Sequence, residues 1–377
     1  MRFLIPILSL LVLVHGQNTL SETLHSIPTN KNSYLSQQQV DAVKSYVRLA
    51  SIAGCSRMRT GQLFKETREC SLTKLCTNFE HVKLVDKFDR SQTGDIGGFF
   101  GRDDKRKALI VSFQGTSTWN NGLTDVKFLQ DEYPNVKGAF VHTGFLQAAN
   151  AVKEYLYPKI KNETLKLGEN FKNYEVEVIG HSLGGAIATL FTAELMNSGK
   201  QNIPNFNKEK VVLVTLGEPR VGNAEFVQFM NQQPILQKRI TNRNDFVPFI
   251  PFEWSFFSFL PNYASRNFVI HAFDNGKVVH CVNANDQACE DDEGFFKNAG
   301  QDMLDMALMS GSFDHFEFKD VITGCPTGGS RTPKAIGEIT LADAFLEQWK
   351  ASKKNNKNPE SNPPEKIGQK EESKNTE

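Results

Sequence analysis

The sequence has no surplus of charge of either sign, because its 377 residues include 43 basic and 43 acidic side chains. A nucleic-acid-binding protein needs an excess of lysine and arginine to displace the counterions of the phosphate backbone. We therefore expect no nucleic-acid partner. No internal repeat and no glycine- or serine-rich linker interrupts residues 17–350, and we predict that this range forms a single domain.

Long hydrophobic segments are also missing. The N-terminal apolar run, Phe3–Val14, is too short to span a bilayer, and no later stretch reaches the roughly 18 apolar residues that spanning requires. The run follows Arg2 and ends at Val14-His15-Gly16, which is typical of a secretory signal peptide with its cleavage site. We predict a signal peptide over residues 1–16 and a secreted protein without a transmembrane segment. The alternatives are a buried apolar strand and a retained membrane anchor.

Large apolar side chains are scarce at the C terminus. From Ala351 onward the chain consists mainly of lysine, asparagine, glutamate, proline and serine, with Ile367 as the one large aliphatic residue. Such a segment cannot bury enough surface to offset the entropy lost on ordering. We predict a disordered polar tail over residues 351–377.

The C-x-x-C spacing of zinc sites is absent and no histidines cluster beside the cysteines, so we expect no metal and no cofactor. An even number of cysteines in a chain with a signal peptide indicates disulfides. Six cysteines allow 15 pairings, which sequence alone does not settle. Cys70 and Cys76, like Cys281 and Cys289, are close enough for local loops, and this leaves Cys55 to pair with Cys325.

One N-glycosylation sequon, Asn162-Glu163-Thr164, is present. In an exported protein it makes Asn162 a candidate acceptor, although many sequons remain unused.

Apolar strands alternate with helical stretches through the middle of the chain. The predicted strands are Lys107–Phe113, Val176–Ile179 and Val211–Leu216, and the predicted helices are Ser36–Ala53, Phe145–Leu165, Leu183–Asn197 and Ala224–Asn231. Continuous apolar strands are typical of sheets that are covered on both faces. The alternation predicts an α/β fold with a largely parallel sheet. Hairpins are predicted around residues 91–94 and 274–276.

Ser182 lies where a predicted buried strand meets a predicted helix, within Gly180-His181-Ser182-Leu183-Gly184. A G-x-S-x-G sequence at such a junction predicts a strained turn that presents the serine hydroxyl at the carboxyl edge of the sheet. Glycine is needed at both ends because a Cβ there would collide with the neighbouring strand or helix. The helix also directs its first N–H groups at an oxyanion. We predict Ser182 as the nucleophile; the alternative is a plain tight turn.

A serine nucleophile needs a histidine base, which comes last in the chain order of α/β hydrolases. Three histidines lie well downstream of Ser182: His271, His280 and His315. His271 and His280 lie in predicted hairpin strands, where a histidine is more often a packed or exposed sheet residue. His315 lies in a loop that a disulfide at Cys325 would steady, and we predict it as the base.

The orienting carboxylate is predicted to be Asp245. It follows the strand-like segment Gln237–Thr241, and a carboxylate at the carboxyl end of a strand can reach the second nitrogen of the imidazole. The alternative is an Asx turn before Val247-Pro248. Asp314 is a poorer candidate, because it is next to His315 in the chain and the side chains of consecutive residues point in different directions.

Six motifs occur in an order that resembles the class 3 lipases, the filamentous-fungal triacylglycerol lipase family of α/β hydrolases. They cover about residues 36–325. The motifs are Val111-Ser112-Phe113-Gln114-Gly115-Thr116, His142-Thr143-Gly144-Phe145, Gly180-His181-Ser182-Leu183-Gly184-Gly185, Gly217-Glu218-Pro219-Arg220-Val221-Gly222-Asn223, Arg239-Ile240-Thr241 with Asn244-Asp245-Phe246-Val247-Pro248, and Asp314-His315.

The resemblance implies an α/β-hydrolase fold with a mixed, mostly parallel sheet and a short lid. It implies the triad Ser182, Asp245 and His315, and oxyanion-hole N–H groups from Thr116 and Leu183. The alternative for Thr116 is an ordinary loop threonine. The family's cysteine pattern resembles the pairing given above.

Two departures from the family's pattern bear on substrate preference. They are Gln114, where many members have arginine, and Tyr263-Ala264-Ser265-Arg266 in place of a Tyr-x-His pattern.

In this family the segment after the oxyanion residue forms the lid. Here Trp119, Leu123 and Val126 follow an i, i+4, i+7 spacing and share one face of a short helix. That face would cover the serine in water and turn to lipid at an interface; the alternative is a fixed surface helix. The aromatic run over residues 252–260 is an adsorption patch if it is exposed and core if it is buried.

Together these observations predict a secreted serine ester hydrolase that cleaves fatty-acyl esters of glycerolipids through an acyl-enzyme. The expected partner is a lipid substrate at a lipid–water interface, and the expected state is a monomer. The alternatives are a phospholipase A1, a general carboxylesterase, and a catalytically idle lipid-binding protein with the same fold.

Overall fold

The computed structural model describes residues 19–94, 96–115, 129–243, 245, 247–251, 262–273, 275–284, 286, 289, 315, 317–319 and 321–325. Within these ranges the strands, numbered in chain order, are β1 (Ser33–Tyr34), β2 (Lys83–Phe88), β3 (Gly98–Asp103), β4 (Ala108–Phe113), β5 (Gln130–Glu132), β6 (Phe140–His142), β7 (Glu175–His181), β8 (Val211–Leu216), β9 (Leu236–Asn242), β10 (Val269–Ala272), β11 (Val278–Cys281), β12 (Glu317–Phe318) and β13 (Val321–Ile322). The α-helices are α1 (Leu20–His25), α2 (Gln37–Ile52), α3 (Arg68–Leu72), α4 (Arg90–Thr93), α5 (Thr143–Leu167), α6 (Leu183–Asn202) and α7 (Ala224–Asn231).

The main sheet has the strand order β1-β11-β10-β9-β8-β7-β4-β3-β2. Its centre is parallel, because β4, β7, β8, β9 and β10 pair in one direction. The strand pairs at both edges are antiparallel. Among the described strands of this sheet, only β3 and β11 run opposite to the central strands. The sheet is therefore mixed and mostly parallel, as the sequence predicted.

Alternate residues of the central strands point into two separate cores. Val111, Val178 and Leu213 belong to the core beneath α5, α6 and α7. Ile110 and Ile179 belong to the core beneath α1 and α2 on the other face. Because side chains alternate along a strand, a continuous apolar run fills both cores, and this explains why these strands lack a polar face.

The predicted helices begin within two residues of the expected positions, and α6 extends five residues past its predicted end, to Asn202. Ser36 caps α2 in a capping box with Gln39, whereas α5 begins at Thr143 because His142 accepts a hydrogen bond from the Phe145 N–H. The first hairpin contains the short helix α4 in its turn, since Asp89 caps it. Across the described ranges we find no helix with both the length and the apolar character needed to cross a bilayer.

Three disulfides join the six cysteines, and their pairing is the one that the spacing indicated. Cys70 pairs with Cys76, Cys281 pairs with Cys289, and Cys55 pairs with Cys325 across 270 residues. The third bond fastens the end of α2 to the chain that follows β13.

Candidate active site

Ser182 occupies a strained turn between β7 and α6. Its φ of 57° and ψ of −130° lie in a region that L-residues rarely adopt. The turn is tight because a Cβ on Gly180 would lie 2.0 Å from the Gly184 carbonyl oxygen, and a Cβ on Gly184 would lie 2.5 Å from the Phe113 carbonyl oxygen. Both glycines are thus required by close backbone approach, as predicted.

The Ser182 main chain is fastened to the neighbouring strand. Its N–H donates to the Leu216 carbonyl oxygen at 2.8 Å, which holds the turn at the end of β8. The side chain is buried, and within the described residues its hydroxyl oxygen has no hydrogen-bond partner. A buried hydroxyl in a strained turn is typical of a reactive group rather than a structural one.

His315 and Asp245 form a buried pair. The imidazole Nδ1 lies 2.9 Å from Oδ2 and 3.0 Å from Oδ1 of Asp245, and both side chains are almost fully buried. The Asp245 carboxylate also accepts a hydrogen bond from the Val247 N–H at 3.0 Å. Because a carboxylate only accepts hydrogen bonds, Nδ1 carries the proton, and Nε2 is left as the basic nitrogen.

The imidazole lies over the ends of β7 and β8. A Cβ on Gly217, the residue after β8, would lie 2.7 Å from His315 Cε1 and 2.9 Å from Asp245 Oδ2. The His315 ring is also 4.6 Å from the ring of His181, the residue before Ser182. The structure thus gathers the three predicted triad residues at one carboxyl edge of the sheet, although they are far apart in sequence.

Of the two predicted oxyanion-hole residues, Leu183 lies within the described residues. Leu183 is the first residue of α6, so its N–H is one of those that have no acceptor inside a helix. A Cβ on Gly115 would lie 3.1 Å from Ser182 Cβ, so the chain leaving β4 passes beside the nucleophile. Thr116 itself lies outside the described residues.

Several other predictions also lie outside the described residues. These are the signal peptide over residues 1–16, the lid with Trp119, Leu123 and Val126, the aromatic run over residues 252–260, Asp314, and the tail over residues 351–377. Asn162 is described and lies exposed on α5; its glycosylation stays a prediction.

The two remaining downstream histidines are interior sheet residues, as the sequence suggested. His271 on β10 is buried, with Nδ1 2.8 Å from the Thr241 hydroxyl. His280 on β11 is buried beside Lys238, whose Nζ lies 3.2 Å from its Nε2. Burial and the lysine charge lower the pKa of His280 to about 4, so it packs as a neutral ring.

A buried charge cluster holds the loop that carries Asp245, and sequence reasoning missed it. Arg266 Nη2 lies 2.7 Å from Glu218 Oε2, and Arg239 donates to the carbonyl oxygens of Pro248 and Glu218 at 2.6 and 3.1 Å. Burial raises the pKa of Glu218, but the charges of Arg266 and Arg239 outweigh it and hold the pKa below its ordinary value. The signal was present, because Glu218 and Arg239 lie in two of the quoted motifs.

Arg220 supports the same loop from the other side. Its Nη1 donates to the carbonyl oxygens of Phe249 and Pro251 at 3.1 and 3.2 Å, and its main-chain N–H donates to Ile250. Two arginines therefore fix the backbone that follows Asp245.

Over the described ranges, no group of three or more histidine, cysteine, aspartate or glutamate residues could hold a metal ion.

Comparison with known proteins agrees with this geometry. The family described as lipase (class 3) matches residues 110–254. The matched segment contains Ser182 and Asp245, while His315 follows it in the chain.

Two curated relatives are similar to parts of the chain. A lipase of Rhizopus niveus is 33% identical over 169 residues, which are 45% of this chain and 41% of the relative. The secreted mono- and diacylglycerol lipase 1 of Fusarium solani is 37% identical over 166 residues, which are 43% and 44% of the two chains. The chain therefore matches less than half the length of these two relatives.

A solved structure extends the similarity beyond the matched segment. The triacylglyceride lipase of Rhizomucor miehei matches with a TM-score of 0.61 and 23% identity, over 78% of this chain and 99% of that chain. At this identity the match shows the fold. The α/β-hydrolase fold predicted from the sequence is confirmed.

Proposed function

We propose that this protein is a secreted serine ester hydrolase that cleaves fatty-acyl esters of glycerolipids. The proposal depends above all on one observation, the buried His315–Asp245 pair at the sheet edge where Ser182 occupies a strained turn. This arrangement supplies a nucleophile, a base and a group that orients the base, which is what acyl transfer through a serine requires.

In the first half-reaction, Ser182 attacks the ester carbonyl while Nε2 of His315 takes the hydroxyl proton. The imidazolium that forms is stabilised by Asp245, which also fixes the ring in the productive tautomer. The same proton then passes from His315 to the departing alcohol. A fatty-acyl ester of Ser182 remains.

In the second half-reaction, Nε2 of His315 takes a proton from a water that attacks the acyl-enzyme, and it returns that proton to Ser182 Oγ as the fatty acid leaves. Both steps build negative charge on the carbonyl oxygen. The Leu183 N–H and the N-terminal end of α6 support an oxyanion hole beside Ser182, and Thr116 is proposed as its second donor.

The substrate class comes from the relatives, which are named as lipases and as a mono- and diacylglycerol lipase. We propose that the face formed by Trp119, Leu123 and Val126 acts as a lid at a lipid–water interface. Secretion is supported by the signal-peptide pattern at the N terminus and by three disulfides, which form in oxidising compartments.

The test is covalent labelling by a fluorophosphonate, followed by rates on four substrates. Wild-type protein is expected to be labelled and to hydrolyse emulsified triacylglycerol and diacylglycerol faster than phospholipid or a soluble short-chain ester. Ser182→Ala is expected to fold normally, to resist labelling and to lose ester turnover, because no other group replaces the attacking oxygen.

The outcomes separate the alternatives. Absence of labelling in folded wild-type protein would identify an idle lipid-binding protein. Preference for phospholipid would identify a phospholipase A1, and a preference for the soluble ester without activation by an emulsion would identify a general carboxylesterase.

A further inference from the structure

His181 is a buried histidine next to the nucleophile that takes no part in the proton transfers described above. It ends β7 and is only 6% exposed. Its Nε2 lies 2.8 Å from the main-chain carbonyl oxygen of His315, and the two rings are 4.6 Å apart with an interplanar angle of 37°. The residue before the nucleophile therefore touches both the ring and the backbone of the base.

The direction of this hydrogen bond is fixed by chemistry. A carbonyl oxygen only accepts, so Nε2 of His181 carries the proton and donates. Burial, and then the charge of His315, lower the pKa of His181 to about 3, so the ring stays neutral in the pH range of ester hydrolysis. The titratable groups that line the small cavity beside it are Asp245 and His315.

A second group reaches the same carbonyl. The Thr323 hydroxyl lies 3.3 Å from Nε2 of His181 and 3.5 Å from the His315 carbonyl oxygen. Thr323 precedes Cys325, which is bonded to Cys55. The backbone of the base is thereby tied to β7 through His181 and to the disulfide-bonded segment at Cys325 through Thr323.

This matters because a base acts only within hydrogen-bond reach of the proton that it removes. Asp245 fixes the imidazole at Nδ1, which is one end of the residue. A hydrogen bond to the His315 main chain fixes the other end of the residue. Ser182 and the His181 ring are neighbours on one rigid turn, so the base is aligned with the element that carries the nucleophile.

We propose that His181 is a positioning residue for His315: by donating to the His315 main-chain carbonyl, it fixes the imidazole relative to Ser182. This inference rests on the proposed function and adds to it a residue that acts through the base.

Two substitutions at this position separate the hydrogen bond from packing. His181→Gln keeps an N–H donor near the place of Nε2, whereas His181→Phe keeps a ring of similar volume and removes the donor. We expect His181→Phe to lower kcat by about 10–100-fold with KM changed less than about twofold, because a small misplacement of a catalytic group weakens catalysis on this scale. We expect His181→Gln to retain kcat within about threefold.

Active-site titration with the fluorophosphonate gives a readout that a loss of folded protein would not change. When kcat is expressed per labelled Ser182, His181→Phe is expected to keep its loss and His181→Gln its wild-type value, because the expected defect lies in each folded molecule. A loss of folded protein alone would disappear from kcat expressed in this way.

His280→Phe serves as the matched control, since it replaces another buried neutral histidine and is expected to leave kcat unchanged. The inference is overturned if the kcat of His181→Phe equals that of the wild type, or if it exceeds the kcat of His181→Gln. Should His181→Phe misfold, His181→Met takes its place, because it also removes the donor, and a kcat equal to that of the wild type then overturns the inference. A wild-type protein that resists labelling would instead refute the proposed function.

Discussion

At the scale of single residues, Gly217 shows how closely the backbone is packed against the candidate base. It has a φ of +53°, and a Cβ there would lie 2.7 Å from His315 Cε1. The imidazole therefore rests directly on the main chain after β8. A glycine is needed for both reasons, because the positive φ strains any other residue and the ring leaves no room for a side chain.

Gly217→Ala is expected to lower kcat by about 100-fold or more, since the new methyl group displaces the imidazole. Gly168→Ala is the matched control. Its φ of +54° is nearly the same, but no atom lies within 4 Å of the added Cβ. Both variants are expected to lose about 1 kcal/mol of stability from backbone strain, and only Gly217→Ala is expected to lose turnover. Equal activities in steady-state ester hydrolysis would contradict this assignment.

At the scale of elements, the Glu218 cluster joins four parts of the fold. Glu218 follows β8 and accepts hydrogen bonds from Thr189 on α6 and Thr215 on β8. It pairs with Arg266, which precedes β10, and Arg239 on β9 reaches the loop after Asp245. The cluster therefore fixes how β8, β9 and the chain that enters β10 stand relative to α6.

Glu218→Gln is expected to lower the free energy of unfolding at pH 7 by about 3–5 kcal/mol, because it leaves the buried arginines without their counter-charge. The folded pKa of Glu218 is below its ordinary value. The stabilisation is therefore fully present above about pH 4.3 and is lost as the pH falls through the folded pKa. Urea unfolding at pH 7, 5 and 3.5 is expected to show that the difference in the free energy of unfolding between variant and wild type becomes smaller at low pH. A difference that is constant with pH would exclude a stabilising role for the Glu218 charge.

Sequence patterns predicted the elements whose signals are local. Apolar runs located β4, β7 and β8, and the capping residue Ser36 located the start of α2. The G-x-S-x-G spacing located the turn at Ser182. The Glu218–Arg266 pair and the contact of His181 with His315 escaped prediction, because they join residues 48 and 134 positions apart. Such contacts depend on the packing of the whole sheet and leave no periodic trace in the sequence.

At the scale of the whole molecule, the Cys55–Cys325 bond closes the stretch of chain between these two cysteines into a covalent ring. It joins residues 270 positions apart, whereas Cys281–Cys289 closes a loop of only a few residues. In the chain-entropy account, a long loop restricts the unfolded chain more than a short one. The long-range bond also lies ten residues beyond His315, so it holds the segment that carries the base.

The double variant Cys55→Ala/Cys325→Ala is expected to lose about 2–5 kcal/mol of stability and to show reduced turnover at temperatures where it remains folded. Cys281→Ala/Cys289→Ala is the comparison, and it is expected to lose less stability and to retain kcat. Thermal unfolding followed by circular dichroism, with ester hydrolysis at a temperature below both transitions, measures the two effects. Equal losses in the two variants would refute a special role for the ring.

The same disulfide-closed ring determines the effect of a single proteolytic cut on the protein. A single backbone cut anywhere between Cys55 and Cys325 opens the ring but leaves its two parts linked through sulfur, and Ser182, Asp245 and His315 all lie inside it. A nicked molecule therefore keeps its nucleophile, base and carboxylate in one covalent body. It migrates as one band on a gel without reductant and separates into fragments once reductant is added.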